Sequence, residues 1–170
     1  MRRVYAEVRE WYRVADAKGQ MLLTIDGVFV TVLTATILGS PDEAGARAAV
    51  FGTDTWLLAV FTGAALLGSI SCATLCLRSR LGKAVSRAGQ GPSDAWWFGS
   101  IARLDPAAFN TMLRSVDEDF ELDALSHEIS VVSRNVLVKH RWANRGWLLA
   151  AFALVGLLGT TASYLVRVAV

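Results

Sequence analysis

Apolar residues along this chain are gathered into three long runs rather than interleaved with polar ones. The first covers residues 21–38, with Asp26 as its one charged interruption. The second and third, residues 56–77 and 147–165, contain no charged side chain. An α-helix rises about 1.5 Å per residue, so the first run reaches roughly 27 Å, close to the hydrocarbon thickness of a bilayer. The pattern predicts an all-α integral membrane protein with three transmembrane helices and a cytoplasmic helical module. A buried soluble core is the competing reading, and three such runs in 170 residues weigh against it. The first run is not expected to be a cleavable signal peptide. Polar residues including Glu7, Glu10 and Asp16 precede it, Leu38-Gly39-Ser40-Pro41 makes a poor cleavage site, and two more runs follow.

The predicted order is an N-terminal helix over 1–19, a first span over 20–39, an external loop over 40–55 and a second span over 56–77. A helical insert over 78–146 and a third span over 147–168 complete it. Asp54 is the expected cap of the second helix, which is expected to run on toward Arg87 until Gly89, Gly91 and Pro92 break it. Asp105-Pro106 predicts the start of a short helix. Asp117, Glu118 and Asp119 suit the start of another, which meets neither Gly nor Pro before Arg145 and leads through Gly146 into the third span. Leu122, Leu125, Ile129, Val132 and Val136, continued by Ala143, form an expected heptad seam on it. Ala64, Gly68, Cys72 and Cys76 recur every four residues in the second span and predict a small-residue packing ridge.

Charge sets the expected orientation. Five Lys or Arg precede the first span, one lies between the first two, and ten lie in 78–146. Positive residues stay inside, so the N-terminus and the insert are expected on the cytoplasmic side of the membrane, and the C-terminus on the opposite side. Trp56 and Trp147 then mark opposite interfaces.

Little in the chain suggests catalysis. There is no Ser-His-Asp arrangement, phosphate-cradling glycine loop or metal cluster, and His127 and His140 have no obvious ligand partners. No enzyme activity, metal, resident cofactor or nucleic-acid partner is expected. The insert does hold groups suited to an anion with an aromatic ring. Arg134, Lys139 and Arg141 offer cations, Ser133 a hydroxyl, and Trp97 and Phe98 stacking faces. Basic residues beside a membrane also serve topology and lipid headgroups, and that reading stays open. Asp16, Lys18 and Asp26 are candidates for coupling or gating. Asp16 is expected to meet Lys139 or Arg141, as a structural tie or a latch. Asp26 is expected either to take a hydrogen bond from a hydroxyl such as Thr74 or to line a pore.

In their order, Ala15-Asp16-Ala17-Lys18, residues 22–28, Trp97-Phe98-Gly99-Ser100-Ile101, and Ser133-Arg134 with Lys139, Arg141 and Trp142 resemble the transmembrane effectors of the Pycsar anti-phage system. Ser126-His127-Glu128 departs from that family's pattern, which often has Gln nearby. The resemblance implies a bacterial inner-membrane protein whose functional partner is a pyrimidine cyclase. The activating ligand would be cyclic CMP or cyclic UMP, and the outcome would be membrane impairment that stops the infected cell before phage mature. A homo-oligomer is expected, because three spans alone enclose no sizeable pore. The alternative is a constitutive oligomeric membrane scaffold or small channel with no nucleotide ligand.

Overall fold

A computed structural model describes residues 2–39, 45, 50–78, 105–114 and 116–169. Helix α1 spans Arg2–Leu38 without interruption at Gly19. It stops where Gly39 takes a positive φ of 57° and its N–H reaches the Ala35 carbonyl at 3.0 Å, a left-handed terminus that favours glycine. Helix α2 spans Thr53–Leu77. Its first turn is closed by Trp56 N–H donating to the Gly52 carbonyl at 3.1 Å, so Gly52 stands at the start and the Asp54 carboxylate is directed elsewhere. Arg78 lies in a bend that ends α2 at Leu77, and the expected extension toward Arg87 lies outside the described residues.

Helix α3 spans Pro106–Arg114, and Asp105 Oδ2 accepts from Ala107 N–H at 3.2 Å, as its sequence predicts. Helix α4 spans Glu118–Ala169. Asp117 Oδ1 accepts from Phe120 N–H at 2.7 Å and caps it. Its 52 residues take in the third span and the helix before it without a break.

The chain divides into two compact units, and α1 and α4 each contribute to both. The first unit takes Met1–Val14 and Arg78–Val138. In it Ala124 is buried, whereas Leu122 is 50% exposed and Leu125, Ile129, Val132 and Val136 are half-buried. The expected seam is therefore only partly covered. Arg9 lies over the Tyr5 ring at 5.8 Å, and Arg13 pairs with Glu10 at 3.3 Å on the exposed side of α1.

The second unit takes Ala15–Leu77 and Lys139–Val170 and is a three-helix bundle. Each helix buries a seam with 4-3 spacing, the signature of left-handed knobs-into-holes packing. On α2 it runs Thr55, Ala59, Thr62, Leu66, Ser69, Ala73, Cys76, and on α4 Lys139, Ala143, Gly146, Ala150, Ala153, Leu157, Thr160. On α1 the buried positions are Ala15, Gly19, Leu22, Asp26 and Leu33. A strict four-residue ridge drifts about 40° around a helix at each step. This is why Cys72 and Cys76 of the expected ridge are buried while Ala64 is exposed.

The distribution of side chains is inverted relative to a soluble domain. The buried seams are mostly Ala, Gly, Ser, Thr and Cys, whereas Leu57, Val60, Leu67, Val155 and Leu158 are each more than 60% exposed. In water this would waste the largest apolar residues. In lipid, large side chains face the tails and small ones let backbones approach. Three helices are long and apolar enough to cross a membrane, which makes this a multi-pass membrane protein.

Helices α2 and α4 approach closely at Gly156 on α4. A Cβ added there would collide with Thr62 Oγ1 and lie 3.2 Å from the Phe61 ring on α2. Gly156→Val is expected to destabilise the bundle by about 1–3 kcal/mol through overpacking. Thermal unfolding in lipid nanodiscs should show the loss, with helix content by circular dichroism unchanged in the folded state.

Candidate functional site

Polar side chains enter the bundle at three levels. At one end, Lys139 on α4 turns into the seam and its Nζ donates to Asp16 Oδ1 on α1. The Lys139 side chain is 3% exposed and that of Asp16 32% exposed, so the ammonium is sequestered while the carboxylate keeps some access to water. Packing around the pair is close. Ala15 is fully buried, its carbonyl takes a contact from Cys76 Sγ at 3.6 Å, and a Cβ at Gly19 would meet Leu77 at 3.2 Å.

At the middle level Asp26 is fully buried. Its Oδ2 lies 2.7 Å from Ser69 Oγ on α2, and the same Oγ lies 3.1 Å from the Gly146 carbonyl oxygen on α4. One hydroxyl thus touches the other two helices. Asp26 Oδ1 has no hydrogen-bond partner among the described residues. Gly146 has to be glycine for this approach, because a Cβ there would run into Leu22 and come within 3.3 Å of Cys72 Cβ.

At the opposite end Asp54 on α2 accepts from Arg167 and, at 3.1 Å, from Ser163 Oγ, both on α4. Thr55 Oγ1 and Ser163 Oγ are 2.7 Å apart and extend that network into the seam. Phe51 packs edge-on against Trp56 and Tyr164, with centroids 5.4 and 5.5 Å away. Two ion pairs and an intervening buried carboxyl therefore join the helices along the bundle.

The residues expected to bind a nucleotide fall into different environments. Ser133 and Arg134 are exposed in the first unit. Arg141 is exposed on α4 in the second unit. Lys139 is instead buried and committed to Asp16, which meets the expectation for Asp16 and takes the ammonium out of reach of an incoming phosphate. Trp97 and Phe98 lie outside the described residues. Lys18 is half-buried and has no ion pair among the described residues. Burial pushes the Glu128 carboxyl above its ordinary range, with neighbouring His127 pulling the other way.

A hydroxyl of the second span does reach Asp26 as expected, but it is Ser69 rather than Thr74, which is exposed and donates to the Ile70 carbonyl of its own helix at 2.8 Å. Ser69 and Gly146 were missed. The signal for Ser69 was its place in the 4-3 series with Thr62, Leu66 and Ala73, which puts it on the buried face.

Removing Asp16 leaves a buried ammonium without its carboxylate. Asp16→Ala is expected to destabilise the bundle by about 3 kcal/mol. Lys139→Ala alone should cost less than that, and the double variant less than the sum. A double-mutant cycle of unfolding free energies in detergent checks the coupling.

A family model described as PycTM, Pycsar effector protein domain, matches residues 1–166. No curated protein and no solved structure matches the chain. The family match takes in the N-terminal helix, the polar levels at Asp16 and Asp26, and nearly all of the third span, leaving only the last four residues outside it. The chain therefore belongs to the Pycsar effector protein family, the membrane effectors of an anti-phage defence system.

Proposed function

We propose that this effector is switched on by a cyclic pyrimidine nucleotide, cyclic CMP or cyclic UMP, made by a partner pyrimidine cyclase, and that it then impairs the inner membrane of the infected cell. The observation that carries the reading, together with the family, is α4. It runs unbroken from Glu118 to Ala169, so the segment bearing Ser133 and Arg134 and the third span are parts of one helix. A displacement at the first need not cross a loop to reach the second.

In this reading the nucleotide is a signal and undergoes no reaction on the protein. Arg134 meets the phosphate and Ser133 adds a hydroxyl, since both are exposed. Trp97 and Phe98 supply the stacking faces for the base. Arg141 is the alternative exposed cation for the phosphate, whereas Lys139 serves as a tie. The ligand acts by favouring one arrangement of the spans over another, so it has to bind the two arrangements with different affinity. The active assembly is a homo-oligomer, because one three-helix bundle has its seams filled by its own side chains. The orientation follows the basic residues, with the N-terminus and the 78–146 insert in the cytoplasm and the C-terminus outside.

Calorimetry on the full chain in nanodiscs, against cyclic CMP, cyclic UMP, cyclic AMP and cyclic GMP, tests this. Selective binding of one pyrimidine nucleotide is expected. Arg134→Glu should weaken it at least tenfold, about 1.4 kcal/mol, while membrane insertion is retained. Absence of binding to all four by folded protein would assign the chain to a constitutive membrane scaffold or channel instead.

A further inference from the structure

The contacts of Ser69 define where a proton resides. A serine hydroxyl has one proton to donate. Ser69 Oγ has two oxygens within hydrogen-bond distance, Asp26 Oδ2 at 2.7 Å and the Gly146 carbonyl at 3.1 Å. With Asp26 ionised, both are pure acceptors. Ser69 then satisfies one, and the other faces its oxygen with no hydrogen between them, in a site closed to solvent. With a proton on Asp26 the same distances make a directional relay. The Asp26 O–H donates to Ser69 Oγ, and the Ser69 O–H donates to the Gly146 carbonyl.

The surroundings supply no substitute for that proton. On α1 the nearest charged side chains are Lys18 and Asp16, eight and ten residues away, or roughly 12 and 15 Å along the helix. Asp16 is engaged with Lys139, the buried cation of α4. On α2 no charged residue lies between Thr55 and Leu77, and the titratable groups of the buried face are the Cys72 and Cys76 thiols. On α4, Arg145 adjoins Gly146 but is exposed and lies over the Trp142 ring at 5.3 Å. Among the described residues Asp26 has no ion pair, and its Oδ1 has no hydrogen-bond partner, as suits the carbonyl oxygen of a neutral acid better than half of a carboxylate.

We propose that Asp26 is a proton-binding site in the centre of the bundle, and that its bound proton joins α1, α2 and α4 through Ser69 and the Gly146 carbonyl. Release of the proton belongs to a different arrangement of the spans, one that admits water to position 26. The proposal stands on the geometry of the second unit and does not depend on the nucleotide reading.

Infrared spectroscopy of the full chain in lipid bilayers at pH 7 tests it. The wild type should show a protonated-carboxyl C=O band that Asp26→Asn removes, while the Asn amide donates to Ser69 and preserves the fold. Ser69→Ala keeps Asp26 and should move the band without abolishing it. If Asp26→Asn does not insert, the Ser69→Ala comparison decides alone. A spectrum with no protonated-carboxyl band altered by either variant would overturn the proposal.

Discussion

A bilayer offers no water to a polar group, so every such group inside the spans has to find its partner within the protein. That constraint organises this bundle. The buried seams are built from small residues so that backbones come close. The hydroxyls set among them bond either to their own helix, as Thr62 and Thr160 do, or to a neighbour, as Ser69 does. The large aliphatic residues are left for the lipid face. Asp26 is the extreme case. The close approach at glycine 146 brings a carbonyl into reach of the serine that serves it.

The two terminal ties are unequal. Arg167 and Asp54 are both substantially exposed, at 41% and 57%, and a pair of that kind contributes little to stability. Lys139 is sequestered, so separating it from Asp16 leaves a charge in a dry environment. A rearrangement of the spans therefore meets little electrostatic resistance at the Arg167 end and much more at the Lys139 end, where α4 enters the bundle. Lys139 thereby acquires a role in holding the helices together. The exposed Arg134, five residues earlier on α4, is the better placed of the two to meet a soluble anion.

Membership of the Pycsar effector family and this architecture are mutually consistent. In the second unit both ion pairs and the seam hydroxyls find partners within the protein and the large aliphatic residues are left to the lipid, as residence in a membrane requires.

The sequence by itself determined the three spans and the order of helices. Run length and the position of charges settle what partitions into lipid, and those are local properties. It also determined the capped start at Asp105 and the acidic start at 117–119, where the signal lies within a few residues. The pairing of Asp16 was legible only as a choice between Lys139 and Arg141, two residues apart and on different sides of α4. Only the tertiary structure decided which cation turned inward, since that depends on the register of α1 against α4. It likewise decided that Ser69 rather than Thr74 reaches Asp26, because five residues rotate a side chain to another face of the helix. The predicted apolar seam on α4 passed over position 139, because a lysine reads as solvent-facing until its carboxylate is known. Contacts between helices far apart in sequence carry that information, and no local pattern encodes it.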